Sequence, residues 1–113
     1  RKNEVVNEIE VESDTILVSL YDNGEVDGDI ISLFYNKTLI LFNQKLTHRS
    51  IRINLPVDTI FGVNEISMFA ENLGLIPPNT ALMVINDGKN KHELRLSSSL
   101  EKNATIRIRK KKK

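Results

Sequence analysis

Short segments with apolar residues at every second position dominate this chain of 113 residues. In TILVSLYD (15–22) the apolar set is Ile16, Val18 and Leu20, and IRINL (51–55) has the same alternation. A period of two is typical of a β-strand with one buried face, because successive side chains of a strand point to opposite faces of the sheet. Such segments recur at regular spacing along most of the chain.

Turn-forming residues separate these segments. Asn36 and Lys37 form a candidate two-residue hairpin turn, and NDGK (86–89) is the strongest hairpin signal in the chain. Pro77 and Pro78 end any strand that reaches them. We therefore predict an all-β fold: a two-sheet antiparallel β-sandwich, Ig-like or jelly-roll-like, with about eight short strands.

The sandwich is predicted to occupy residues 14–109, a length sufficient for a single hydrophobic core. Residues 1–13 are interpreted as an N-terminal linker or an edge strand, the strand resting on the apolar positions of EIEVES (8–13). Near the other terminus, ATIRIRKKKK (104–113) has the alternation of a regular edge strand, and residues 110–113 form a basic tail.

The net charge of +1 conceals an uneven distribution. Six of the sixteen basic residues lie in the last seven positions, so the rest of the chain has ten basic and fifteen acidic residues, a balance of −5. Nucleic-acid binding requires clustered Lys and Arg on the folded surface, and we predict no nucleic-acid partner. No apolar run approaches the roughly 18 residues of a membrane span, and we predict none.

The acidic stretch DNGEVDGD (22–29) is the candidate functional motif, because calcium binds about six to eight oxygen ligands. The candidate calcium ligands are Asp22, Asn23, Glu25, Asp27 and Asp29. An EF-hand is excluded, since its final glutamate would fall on Phe34 and strands flank the motif. The alternative is a tight turn, in which the acidic side chains accept backbone N–H bonds and Gly28 has a positive φ.

No catalytic set emerges from the sequence. The chain has no cysteine, which excludes disulfides, thiolate metal sites and a cysteine nucleophile. His48 is predicted in a loop and His92 as an exposed strand residue, and neither belongs to a triad motif. We predict no catalytic residues, no enzymatic activity and no cofactor, with calcium as the one alternative left open.

Two stretches carry a resemblance to a known family. They are SLYDNGEVDGDIISLFYNKTLILFNQKLT (19–47) and NEISMFAENLGLIPPNTALMVINDGKNKHELRLSSSLEKNATIRI (64–108). Together they resemble a small β-sandwich module of exported Bacteroidetes proteins, in which a DNGxxDGDxVxVxxNG hairpin precedes an AxNxGxxPPNTAxxxxxDG stretch. Lys37 departs from the glycine usual in that hairpin, and we expect it to change the turn type.

The resemblance implies an extracytoplasmic, non-catalytic accessory domain, and it supplies no catalytic residues. Asn79 and Thr80 are suited to bonding the backbone of a loop that contains two prolines. We expect the acidic hairpin to be their partner, so that the two motifs form a structural latch. The latch residues are Gly24, Gly28, Asn72, Pro77, Pro78, Asn79 and Thr80.

The leading hypothesis is a non-catalytic interaction module of a secreted, periplasmic or cell-surface bacterial protein. Its partner would be another protein or an adjacent domain of the same polypeptide. A carbohydrate-binding module, with or without calcium, is the first alternative, because sandwiches often bind glycans. A structural subunit of a cell-surface assembly is the second, because the edge of a sheet can pair with a neighbouring strand.

Overall fold

A computed structural model of the chain describes residues 2–22, 28–60, 62–72 and 78–111. This part of the chain contains no helix, and therefore none that is long and apolar enough to cross a membrane. It contains nine strands: β1 Lys2–Val11, β2 Thr15–Asp22, β3 Ile30–Tyr35, β4 Thr38–Lys45, β5 Ile51–Pro56, β6 Val63–Ala70, β7 Asn79–Asn86, β8 Lys91–Ser98 and β9 Lys102–Lys110.

The strands form two sheets that pack against each other. One sheet has five strands in the order β1-β9-β6-β3-β4, and the other has four in the order β5-β2-β7-β8. Every pair is antiparallel except β1 with β9, which is parallel. The prediction of a two-sheet antiparallel β-sandwich with about eight strands is confirmed, with nine strands and one parallel pair.

The alternation in the sequence decides which side chains enter the core. Ile16, Val18 and Leu20 of β2 are at most 1% exposed, as their period of two predicts. The same period buries alternate residues of β6 and β7. In β5, by contrast, only Leu55 is fully buried, because this strand lies at a sheet edge and pairs with β2 alone.

Both termini differ from the sequence-based picture. At the N-terminus, where a linker or an edge strand was left open, the structure has the strand β1, although only Ile9 and Val11 of it are buried. At the C-terminus, β9 lies between β1 and β6, so the prediction that residues 104–113 supply an edge strand is wrong. The strand extends to Lys110, one residue into the predicted basic tail. The cause is the parallel pairing with β1, which covers the outer edge of β9.

The turn between β3 and β4 also corrects an expectation. Asn36 has φ of 49° and Lys37 has φ of 69°. Positive φ at both central residues is the requirement of a type I′ hairpin turn, the type that Asn-Gly favours. Lysine therefore does not change the type of turn, and it adopts a conformation that costs an L-residue roughly 1–2 kcal/mol.

We predict that Lys37→Gly stabilises the protein by about 0.5–1 kcal/mol. Glycine adopts positive φ without strain, and this gain exceeds the additional conformational entropy that glycine loses on folding. Chemical denaturation measures this difference. Asn36→Gly is the matched control: Asn36 Nδ2 donates to Asn64 Oδ1 at 2.9 Å and Asn36 Oδ1 accepts the Glu65 N–H at 2.8 Å. The control should therefore be destabilised, and stabilisation of both variants would contradict the explanation.

Candidate functional site

The sandwich has two ends, and the acidic stretch belongs to one of them. We call this the loop end; it carries the β2–β3, β4–β5, β6–β7 and β8–β9 connections, residues 23–29, 46–50, 71–78 and 99–101. The opposite end, which we call the turn end, carries the β1–β2, β3–β4, β5–β6 and β7–β8 connections, residues 12–14, 36–37, 57–62 and 87–90.

Asp22 and Asp29 flank the acidic stretch, and both side chains are buried. Asp22 is the last residue of β2 and is 5% exposed, while Asp29 is 1% exposed. Asp22 continues the inward-facing alternation of β2, and its backbone N–H donates to the Thr47 carbonyl oxygen at 2.9 Å. The other candidate ligands lie outside the described residues: Asn23, Glu25 and Asp27. The described geometry thus covers two of the five candidate calcium ligands.

Asn72 connects the two motifs through its side-chain amide. Its Nδ2 donates to the Gly28 carbonyl oxygen at 3.0 Å, and its Oδ1 accepts the Ile30 N–H at 2.9 Å. A single amide therefore satisfies backbone groups on both sides of Asp29. A polar side chain is needed at position 72 because a loop that approaches an apolar core requires a hydrogen-bond partner for each backbone group that it buries.

Asn79 and Thr80, the first residues of β7, contact the same segment. Asn79 Nδ2 donates to the Ile30 carbonyl oxygen at 3.2 Å, and the Thr80 N–H donates to Asp29 Oδ2 at 3.2 Å. The Asp29 carbonyl oxygen in turn accepts the Leu46 N–H at 2.9 Å. The flanks of three loop-end connections are therefore joined at Asp29.

Four of the seven predicted latch residues come together in this way. The latch, as the structure describes it, is the set of contacts that joins Gly28–Ile30 to Asn72, Asn79 and Thr80. Gly28 has φ of 83°, the positive value that the sequence predicts. Pro78 is exposed beside the latch, and two predicted members, Gly24 and Pro77, lie outside the described residues.

Two further polar atoms point into the sandwich next to the latch. Asn79 Oδ1 and Ser98 Oγ are buried and have no hydrogen-bond partner among the described residues. The two residues are direct neighbours in the register of β7 and β8. Sequence analysis missed Ser98, although its spacing from Leu94 and Leu96 places it on the inner face of β8.

The turn end is held by a different buried amide, that of Asn64, which is 0% exposed. Its Oδ1 accepts the Asp58 N–H at 2.8 Å, and its Nδ2 donates to the Asp58 carbonyl oxygen at 3.1 Å. The Tyr35 hydroxyl lies 3.1 Å from Asn64 Oδ1 and donates to the Pro56 carbonyl oxygen at 2.5 Å. Burial, and secondarily the Asp58 carboxylate, raise the pKa of Tyr35 to about 12, so this hydroxyl remains a donor.

Asp87 holds the rest of the turn end. Burial of its carboxylate raises its pKa, but hydrogen bonds from the backbone of Asn90, Glu12 and Lys89, together with nearby His92, outweigh burial and keep the pKa of Asp87 below its ordinary value. The Asn90 N–H lies 2.6 Å and the Lys89 N–H 3.0 Å from Oδ1, while the Glu12 N–H lies 3.0 Å from Oδ2. The carboxylate thus fastens the β7–β8 turn to the β1–β2 turn.

An open depression of about 440 Å³ lies over these two turns. Two ion pairs lie around it: Lys110 pairs with Asp14, and Lys111 Nζ lies 3.9 Å from Glu12 Oε1. The carboxylate of Asp87, also in its lining, is engaged with backbone N–H groups. The ion pairs hold the end of β9 against the β1–β2 turn, and the Asp87 carboxylate holds the β7–β8 turn against it.

The two histidines lie apart. His48 is exposed in the β4–β5 connection, as predicted. His92 is not the exposed residue that was predicted: it lies on the inward-facing positions of β8, and its Nε2 is buried without a hydrogen-bond partner among the described residues. Within the same residues, no three His, Cys, Asp or Glu side chains gather closely enough to hold a metal ion.

Comparison with models of protein families, with curated proteins and with solved structures gives no match in any of the three.

We predict that Asn72→Ala destabilises the protein by about 1–3 kcal/mol, because it leaves the Ile30 N–H and the Gly28 carbonyl without their partner. The free energy of unfolding, measured by urea denaturation, tests this. Asn54→Ala is the matched control, since Asn54 is exposed on β5, and a surface change of this kind should shift the free energy by at most about 0.5 kcal/mol. Equal effects of the two substitutions would show that the latch contributes nothing.

Proposed function

We propose that this chain is a non-catalytic interaction module of an exported bacterial protein, and that its loop end contacts a protein partner or a neighbouring domain. The observation that carries the proposal is the latch. Its hydrogen bonds fix the flanks of the β2–β3, β4–β5 and β6–β7 connections to one another at Asp29.

Anchored connections favour recognition for an energetic reason. Binding costs free energy whenever a flexible segment must be ordered, and a scaffold that fixes the base of each loop lowers that cost. Binding residues are for this reason frequent on loops held by a rigid framework. The turn end is also anchored, through Asn64 and Asp87, but it carries neither the acidic motif nor the Pro-Pro-Asn-Thr motif.

The extracytoplasmic location rests on the resemblance to a module of exported Bacteroidetes proteins. The order of its motifs supports this, with the acidic hairpin followed by the Pro-Pro-Asn-Thr segment and the closing Asp-Gly turn. The latch joins residues of the first two of these motifs.

Site-specific photo-crosslinking tests which end binds. A photo-reactive residue is placed at His48, exposed at the loop end, or at Lys89, exposed at the turn end. Each variant is expressed in a Bacteroidetes host, and the intact cells are irradiated. We expect crosslinks to one protein, or to one domain of the same polypeptide, from position 48 and not from position 89. Equal crosslinking from both positions, or none from either, would overturn the proposal, as would turnover on a substrate panel.

A second candidate function is calcium-dependent glycan binding at the same end. One observation favours it: the buried carboxylates of Asp22 and Asp29 flank the acidic stretch. Asn79, the neighbour of the Thr80 that bonds Asp29, has a buried Oδ1 without a hydrogen-bond partner among the described residues. Carboxylate and amide oxygens are the ligands that calcium prefers. A bound ion would then orient sugar hydroxyl groups.

If this loop end binds calcium, then calcium at 100 times its dissociation constant raises the free energy of unfolding by about 2.7 kcal/mol. Thermal melting with calcium and with a chelator measures the change. Asp29→Asn is the matched variant, since an amide oxygen can still accept the Thr80 N–H while the charge is lost, and its response to calcium should be much smaller. A melting temperature that does not respond to calcium eliminates the calcium version, and a blank glycan array eliminates glycan binding.

A further inference from the structure

The two sheets have four edge strands, and three of them have features that oppose the addition of another strand. The register of β1 with β9 shifts between Val5 and Asn7. The register of β4 with β3 shifts twice, and Asn43 within β4 has φ of 50°. β5 has only six residues and ends at Pro56, which has no N–H. Bulges, short length and proline are three of the means by which natural sheets protect their edges, and charged side chains are a fourth.

The fourth edge strand, β8, has no bulge, short length or proline, and only the charges of its outer face protect it. It pairs with β7 over eight consecutive residues without a register shift, and its sequence KHELRLSS contains no glycine or proline. No strand of the described residues pairs with its outer edge. Because backbone groups of alternate residues point away from β7, this edge presents a regular row of donors and acceptors.

The side chains of β8 restrict what can pair with it. On its outer face Lys91, Glu93 and Arg95 are exposed and alternate in sign. On its inner face Leu94 and Leu96 are 5% and 2% exposed. An added strand would need opposite charges on its outer face, because like charges directly opposite each other are destabilising.

A second copy of the same strand meets this requirement in one long register. Two antiparallel copies of β8 would be related by a two-fold axis. Residues that lie directly opposite each other must both direct their backbone groups toward the partner or both away from it. The axis must therefore pass between two copies of the same residue, which we call the central residue. With Leu94 at the centre, Glu93 of each copy lies opposite Arg95 of the other, and Lys91 lies opposite Ser97. Both charged contacts are attractive, and residues 91–97 all pair.

The neighbouring registers are worse. With Glu93 at the centre, two glutamates oppose each other and Lys91 opposes Arg95, so every charged contact is repulsive. With Arg95 at the centre, two arginines oppose each other. With His92 at the centre, Lys91 opposes Glu93 favourably, but only residues 91–93 of the strand are paired. Charge and length together select the register centred on Leu94.

We propose that two copies of this chain associate through antiparallel β8–β8 pairing centred on Leu94, joining their four-stranded sheets into one continuous sheet of eight strands. The partner is thus a second copy of the chain. The surface is separate from the loop end, so the proposal stands or falls independently of the binding function assigned there.

Charge reversal tests the pairing. Glu93→Arg and Arg95→Glu each place two pairs of like charges in opposition, whereas the double variant restores opposite charges. Sedimentation equilibrium should show a dimer for the wild type, at least tenfold weaker association for each single variant, and recovery in the double variant. Melting temperatures of the variants at monomeric concentration establish that they fold. A wild type that is monomeric at millimolar concentration, or dimers unaffected by the single substitutions, would overturn the proposal.

Cysteine pairing tests the register, since the chain has no cysteine of its own. In the proposed register Lys91 of one copy lies directly opposite Ser97 of the other, within the distance that a disulfide spans. An oxidised mixture of Lys91→Cys and Ser97→Cys proteins should therefore form a mixed disulfide, and neither variant alone should crosslink. Crosslinking of either variant with itself would contradict the register centred on Leu94. Crosslinking of the variants only to a strand of another protein would contradict it as well.

Discussion

The structure depends on one constraint. Where the connections between strands reach the apolar space between the two sheets, their backbone N–H and C=O groups must find hydrogen-bond partners. Nearly every inward position of the strands is apolar, so the groups that meet this requirement stand at the ends of the sandwich. At the turn end they are Asn64 and Asp87, and at the loop end they are Asn72, Asn79 and Asp29. Amide and carboxylate side chains suit this role because one group bonds several backbone atoms at once.

Both ends meet this constraint with side chains that join segments far apart in sequence. At the turn end, Asp87 Oδ2 accepts the Glu12 N–H and Asn64 Oδ1 accepts Asn36 Nδ2. At the loop end, Asn72 lies more than forty residues from Gly28 and Ile30, which it bonds. A binding role is assigned to the loop end because the acidic motif and the Pro-Pro-Asn-Thr motif both belong to its connections.

Much of this architecture could be predicted from the sequence, because its signals are local. Alternation identified the inner residues of β2, and the Asn-Asp-Gly segment identified the turn between β7 and β8. The errors concern non-local pairing. Nothing near Ile106 or Ile108 indicates that β1 covers the edge of their strand, because that contact joins the two termini. His92 was misjudged although its spacing from Leu94 and Leu96 places it on the inner face of β8. The latch was predicted in outline through its prolines and amides, but Ser98, which carries no such signal, was missed.

Edge strands link the stability of the sandwich to its interactions. β1 and β4 have irregular registers, and their irregularities place exposed apolar side chains such as Val5 and Phe42 on edges where regular pairing is interrupted. Irregular edges are a defence against unspecific pairing, and that defence matters most where apolar residues are exposed. β8 has no such irregularity, but the alternating charges of its outer face repel any strand that places like charges opposite them. The same charges make β8 selective, since the pattern that fits them in a long register is that of β8 itself. A sandwich of this kind therefore presents two surfaces of different chemistry: a regular charged edge that recognises a strand by its register, and a loop end whose anchored connections are separate from that edge.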